Sequence, residues 1–494
     1  MRRSVWLLLV FLAALVVPAS AHVGNKDVFE QVTAGPYKLF VTIRTPTVIP
    51  GIATIEVRSS GAAINSLSIT PLLLTGEASK HPPTPDAMKR SPDDPAFFTG
   101  SLWLMGSGSW QVRFGIDGAA GPATSSIPVP AVSTAILHMQ RPIGIMLGAL
   151  GLILVLGMAG IVAAAVRESR LKPGLQPDPA RRRRALLAST AAFAFAILCV
   201  VAGGHWWNVE AAGYASDMHR NSELRPTLTG NTLDLLIGDP DPDADNGWRA
   251  VKNSELLPDH GHLMHLYAIR MPEMDAAFHL HPEPVGKHRL RDTLPAMPPG
   301  TYKLFADIVF PNGFPETETA TLTVPVGMST APLSSEDASA VPSALSAGDL
   351  GSSYKLPDGY TMVWDKPASI EASKGYSFRF TLLDPTGKPA ADMRPYLGMA
   401  GHAAFVKTDG STFAHTHPDG SAAMPAMMLA NPQASGVEGT SGMGSMPGMN
   451  MPPEGTSPTV EFPYGFPSSG RYRIFIQMKH GTTVETGVFD AEVR

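Results

Sequence analysis

Two short stretches place histidine at spacings that could gather a metal ion. Met264-His265-Leu266-Tyr267-Ala268-Ile269-Arg270 leads through a turn to Phe278-His279-Leu280-His281-Pro282. Gly401-His402-Ala403-Ala404-Phe405-Val406-Lys407 leads to Phe413-Ala414-His415-Thr416-His417-Pro418. In the second stretch, Asp409-Gly410 between strand-like runs signals a tight hairpin turn. That turn pairs Thr408 with Ser411, and counting back sets His402 opposite His417. His415 shares their face because side chains alternate along a strand. In the first stretch, a turn at Pro272-Glu273-Met274 sets His265 opposite His281, with His279 on the same face. The loops differ in length and the geometry recurs. Neutral imidazoles in threes suit copper, zinc or nickel and hardly suit calcium or magnesium. His265, His279 and His281 are therefore one candidate metal site, and His402, His415 and His417 a second. The competing reading is that these rings only pack and hydrogen-bond within their hairpins. Recurrence favours the metal without excluding a shared packing role. His260, His262 and His288 flank the first triplet, either as further ligands or as loop residues.

A methionine cluster points towards copper. Gly442-Met443-Gly444-Ser445-Met446-Pro447-Gly448-Met449-Asn450-Met451 follows shortly after Met424, Met427 and Met428. Gly, Ser and Pro give these methionines no core to fill, and thioether sulfur is a soft ligand that selects Cu(I). The alternative is a low-complexity insertion in which methionine is incidental. A third candidate is His22, whose amine and imidazole would chelate Cu(II) if it became the mature amino terminus. Chance placement after a cleavage site is the competing account. The single cysteine, Cys199, excludes an intrachain disulfide and any multi-cysteine zinc or iron–sulfur site.

The elements that must carry these residues are mostly strands. Gly 47 and Pro 46 beside 44% hydrophobic residues fit short strands with punctuated turns. Both histidine stretches continue to a similar strand, Gly300-Thr301-Tyr302-Lys303-Leu304-Phe305 and Gly470-Arg471-Tyr472-Arg473-Ile474-Phe475. Each then closes on an acid-Thr strand, beginning at Glu318-Thr319 and Glu485-Thr486. Matching order over four elements predicts a duplicated domain, over 220–327 and 353–494, joined by a Ser, Ala and Pro-rich linker over 328–352. Residues 22–139 carry strand-like runs at Tyr37–Ile43, Ala53–Arg58 and Trp110–Phe114, and no useful helical period. The expected fold class is mainly β: three immunoglobulin-like β-sandwich domains plus two transmembrane α-helices.

Targeting signals place these domains outside a membrane. Arg2 and Arg3, the apolar run Val5–Val17 and Ala19-Ser20-Ala21 read as a signal peptide over 1–21. Residues 142–166 and 185–207 read as transmembrane helices, the second ending at Trp206 and Trp207, where an aromatic belt would sit. The loop 167–184 holds Arg167, Arg170, Lys172 and Arg181 to Arg184 against Glu168 and Asp178, so it should stay cytoplasmic. The expected location is a cytoplasmic (inner) membrane, with two passes and the β domains on the periplasmic side. With 16% charged residues and a net charge of -5, nucleic acid has no electrostatic support as a partner.

The pattern His…Asp…Phe-(x)-His-x-His-Pro appears as His265…Asp275…Phe278-His279-Leu280-His281-Pro282, one residue shorter than Asp409…Phe413-Ala414-His415-Thr416-His417-Pro418. Followed by the Gly-x-Tyr-[Lys/Arg]-[Leu/Ile]-Phe strand, it resembles the YtkA-like family of exported domains. Residues 22–139 more loosely resemble the FixH/YtkA type through Gly108-Ser109-Trp110-Gln111-Val112. The resemblance implies an immunoglobulin-like fold similar to CopC-type periplasmic copper carriers, and a link to copper handling or oxidase assembly. The function expected is a membrane-anchored periplasmic copper-binding protein, partnered by copper ions, the membrane and a copper-dependent membrane enzyme or transporter. The alternative is a non-metal structural or docking module, such as an assembly factor for an oxidase-type complex. An enzyme is not expected: no cysteine lies outside the membrane for a blue-copper centre, and no nucleophile elbow stands out.

Overall fold

Alternating apolar residues set most of this chain into strands, and the computed structural model is mainly β, with 43% strand and 19% helix. It describes residues 27–172, 174–238, 250–432 and 456–494. His22, Met443, Met446, Met449, Met451 and the signal-peptide segment lie outside the described residues.

The chain divides into Val132–His219 and everything else. Val132–His219 holds two helices, Arg141–Glu168 and Pro179–Ser216, both long and apolar enough to cross a membrane. The second helix runs past both ends of the expected span. Asp178 caps its start by accepting from the Arg181 amide at 2.7 Å, with Pro179 in the first turn. Arg181 to Arg184 are therefore helical, and the link between helices contracts to residues 169–178.

In the larger unit, the sheets pair around cores. Two sheets within Val28–Ala131 share one core of Leu39, Val41, Ile55, Leu67, Val112, Phe114 and Ile127. The duplicated order read in the sequence is visible in the strand pairing. In the first repeat, Pro315–Val324, Gly300–Val309, His265–Arg270 and Ala277–Leu280 lie side by side in that order. In the second, Thr483–Val493 pairs with Gly470–His480, which pairs with His402–Lys407, which pairs with Phe413–Thr416. Each repeat adds a second four-stranded sheet across its own core.

Both His265–Arg270 and His402–Lys407 are buried along nearly their whole length, which a sheet with one wet face would not allow. Leu266 and Ala268 point into the first repeat's core and Ala403 and Phe405 into the second's. The alternate residues Tyr267, Ile269, Ala404 and Val406 join Phe305, Phe413, Phe475 and Val488 in a further core where the two repeats meet. The second faces of the two hairpin sheets thus pack against each other, and the histidine faces are in that contact. A basic residue from each repeat ties down the other's hairpin turn. Lys303 donates to the Gly410 carbonyl at 2.7 Å, and Arg473 donates to the Met274 carbonyl at 2.8 Å. Part of the expected linker also folds: Ala338–Ala340 pairs antiparallel with Ala277–His279 and covers that edge.

Candidate metal centre

The hairpin registers follow the turn chemistry. Ala403 faces Thr416 and Val406 faces Phe413, a register that carries His402 opposite His417. Gly410 takes a φ of 70° in the turn, and the Asp409 carboxylate accepts from the Ser411 amide at 2.8 Å. In the first repeat, Leu266 faces Leu280 and Ile269 faces Ala277, which carries His265 opposite His281. The chain enters each histidine strand through the same turn. Asp259 and His262 exchange backbone hydrogen bonds of 2.8 and 3.0 Å, as Tyr396 and Met399 do at 2.7 and 3.0 Å. His260 and Leu397 hold matching left-handed conformations, φ 50° and 51°, uncommon away from glycine.

Because the two repeats meet on their histidine faces, the two triplets form one buried cluster. His265, His279 and His281 each offer a ring nitrogen lying within 4.8 Å of the other two, and so do His260, His402 and His417. His260 crosses from the first repeat to complete a trio with the second. His415 stands between the trios, with ring centroids 5.0 Å from His265, 5.5 Å from His279, 5.4 Å from His402 and 4.7 Å from His417. His262 borders the first trio, 4.2 Å from His281 by ring centroids. His288 stays apart, with Nδ1 3.3 Å from the Val251 carbonyl.

Hydrogen bonds at the cluster's rim decide which nitrogens carry protons. His265 Nε2 lies 3.1 Å from the Asp259 carbonyl, an acceptor only, so it donates and Nδ1 keeps its lone pair. His279 Nδ1 donates to the Gln477 side-chain oxygen at 2.8 Å, which leaves Nε2 as the lone pair. These two lone pairs face each other at 3.0 Å, an arrangement that a shared cation stabilises. Reversing the Gln477 amide would let His279 donate to His265 and remove that repulsion. It would not help the rest. Nε2 of His260, His281, His415 and His417 and both ring nitrogens of His402 are buried without a hydrogen-bond partner, and each such orphan costs about 1–3 kcal/mol.

Carboxylates and carbonyls hold the outward nitrogens, the usual backing of metal-bound imidazole. His281 Nδ1 donates to Asp337 at 3.0 Å, and His415 Nδ1 lies 3.3 Å from Asp307. Asp307 is the cross-strand partner of His265 and Gln477 that of His402. The same ladder position in each repeat therefore steadies a histidine of the other repeat. Burial, followed by the neighbouring imidazoles, drives His265 and His402 well below the ordinary histidine value. His279 and His417 go the same way for the same reasons, and His260 falls to about 3. These rings are neutral at physiological pH, the state that ligates a metal. Asp259, buried beside them, is pushed up to about 6, mainly by desolvation.

Sequence reasoning named His260 only as a flanking residue and missed Asp259, Asp307, Asp337 and Gln477. Asp307 and Gln477 carried a usable signal, since each sits where the third strand must pass its repeat's first histidine. Asp337 carried none, because it lies in what reads as linker, just before the short strand Ala338–Ala340. A separate group, Asp358, His480 and Glu485, was also missed. There His480 lies 2.9 Å from Asp358 and 3.2 Å from Asp392, stacked on Tyr360, at the end of its strand beside the turn to Thr483.

Comparison with known proteins adds little to this geometry. A family model described as a domain of unknown function, DUF8832, matches residues 354–494, the second repeat. No curated protein sequence matches the chain. Among solved structures, an engineered protein is 19% identical over 20% of this chain and 21% of its own, with a TM-score of 0.15, so the chain spans about a fifth of its length. A bacterial 1.5-MDa ice-binding adhesin is 8% identical over 93% of this chain and 99% of its own, TM-score 0.14. An ICAM-5 D1–D4 ectodomain fragment is 10% identical over 93% and 77%, TM-score 0.15. No function is carried over from them.

Proposed function

We propose that this chain is a membrane-anchored copper-binding protein that buffers or delivers the metal on the outer side of a cytoplasmic membrane. Three immunoglobulin-like sandwiches would stand outside, held by the helices Arg141–Glu168 and Pro179–Ser216, with the basic link between them in the cytoplasm. The observation that carries the reading is the set of buried imidazole nitrogens without partners, converging from two repeats. Neutral nitrogen donors without calcium-style oxygen ligands select copper, zinc or nickel. The methionine-rich 442–451 segment tips the choice towards copper, as a soft capture point for Cu(I) close in sequence to His417. The helix Met424–Ala430, which leads towards that segment, starts beside the cluster: Asp259 accepts from the Met424 amide.

Such a cluster would hold the ion away from water, with imidazoles fixed by Asp337, Asp307, Gln477 and the Asp259 carbonyl. The detergent-solubilised full chain, exchanged against weak chelator and assayed for copper, zinc and nickel, tests the proposal. Copper should be retained and lost on His279→Ala with His402→Ala. A chain that holds no copper, or holds it equally well after both replacements, ends the reading in favour of a metal-free docking module.

A further inference from the structure

The sequence presents the triplets as two sites, one in each repeat; the fold does not keep them separate. We infer that they form a single dinuclear centre, in which two ions of the same soft-to-borderline class occupy neighbouring trios, with His415 between them as an added ligand to one. This rests on the metal-binding reading above.

Three observations carry it. Rings from opposite trios approach almost as closely as rings within one: His265 and His402 are 6.4 Å apart by centroid, and His279 and His402 6.2 Å. Within the first trio, His265 and His279 are 5.2 Å apart. The repeats also trade groups across the gap. His260 of the first repeat completes the second trio, Gln477 of the second repeat fixes His279, and Asp307 of the first faces His415 of the second. Neither trio keeps its geometry without the other repeat. Finally, Asp307 lies 3.3 Å from His415 Nδ1, Nε2 is buried and unpartnered, and the ring stands between the trios, with centroids 5.0, 5.5 and 5.4 Å from those of His265, His279 and His402. The ring's one lone pair is within the shared cluster and can ligate one ion at a time. The centre built from the second repeat's own histidines, His402, His415 and His417, is thereby redrawn: His260 takes the third place and His415 stands between the trios.

Two paramagnetic ions this near each other couple, and isolated ones do not. The solubilised full chain would be titrated with Cu(II) alone, with bound copper measured per chain and unpaired spins counted by electron paramagnetic resonance. The expected result is two coppers per chain with a spin count well below two, or a half-field line. His260→Ala should bind one copper and show the full spin of one ion, and His415→Ala should weaken one equivalent by tenfold or more. Two coppers with two full spins and no half-field line, or a single copper per chain, overturns the dinuclear centre and leaves copper binding intact. No copper uptake at all removes the copper reading itself. The wild-type spin count needs no variant, so a misfolded replacement cannot blur the outcome.

Discussion

The two repeats use the same hairpin and the same entry turn but fill them differently. In the first repeat the turn carries His260 and His262; in the second the equivalent places hold Leu397 and Met399. On the third strand, the first repeat reaches across with Lys303 and the second with Arg473. Arg473 is fully buried and doubly bonded to Asp490, at 2.8 and 3.0 Å. Lys303 is half-buried, and the place equivalent to Asp490 holds Thr321. One repeat therefore supplies extra imidazole and the other supplies the rigid clamp. A duplicated fold let imidazole supply and interface strength be assigned to different copies.

The largest effect should come from the clamp. Asp490→Ala strands a buried guanidinium, and breaking a buried pair on one side costs about 3–5 kcal/mol. A fall of that size in the unfolding free energy of the solubilised chain, read from its urea curve, is expected. A shift under 1 kcal/mol would show that the two repeats meet without depending on Arg473.

The groups behind the imidazoles come next, and they compare the trios directly. Asp337→Asn loosens His281 in the first trio, and Asp307→Asn loosens His415 between the two. Loss of such a supporting partner lowers metal affinity about 10- to 100-fold. Competition against a chelator of known affinity should show Asp337→Asn and Asp307→Asn each acting on a single equivalent of metal. Equal, negligible effects would mean that the carboxylates balance charge without orienting the rings. Below these stands Lys303→Met, which removes one hydrogen bond to the Gly410 carbonyl and should cost about 1 kcal/mol in the same unfolding assay. If it matched Asp490→Ala, the clamps would be equivalent after all.

Much of this was legible in the sequence because short-range chemistry determines it. Asp409-Gly410 set one hairpin register, the three-residue turn at Pro272 set the other, and period-two alternation then assigned each histidine its face. The two apolar helices were equally plain, from uninterrupted hydropathy. What could not be read was what the histidine faces look at. Burial on both sides of His265–Arg270 shows in the sequence only as an unusually apolar strand, which fits a single-domain core just as well. The meeting of the repeats depends on long-range contacts such as Phe305 with Phe413, ring centroids 4.5 Å apart, and nothing local encodes those pairs. His260 was therefore visible as a histidine and invisible as a partner of His402. Asp337 was hidden for a different reason: three residues of strand in a Ser and Ala-rich stretch fall below any periodic signal.

The smallest effect concerns pH, and it also separates the repeats, because Asp292 belongs to the first. Its carboxyl is pushed from 3.8 to about 6, chiefly by desolvation and then by the charge of Asp337. One of its oxygens is buried without a partner. A carboxyl whose folded pKa exceeds its unfolded value stabilises the fold fully below about pH 4 and loses that contribution as pH rises through 6. Two pKa units correspond to nearly 3 kcal/mol, and water reaching the partly exposed residue trims the effect to about 1 kcal/mol. The wild-type chain should thus lose about 1 kcal/mol between pH 4 and pH 7 from this group. Asp292→Asn should remove that share of the slope and be the more stable protein at pH 7, with little difference at pH 4. Metal-free protein must be used for the unfolding curves, since an ion beside His281 would draw Asp337 inward and relieve Asp292. If Asp292→Asn leaves the metal-free slope untouched, the carboxyl is solvated in the folded chain, and the rim of the first trio is more open to water than the buried rings beside it.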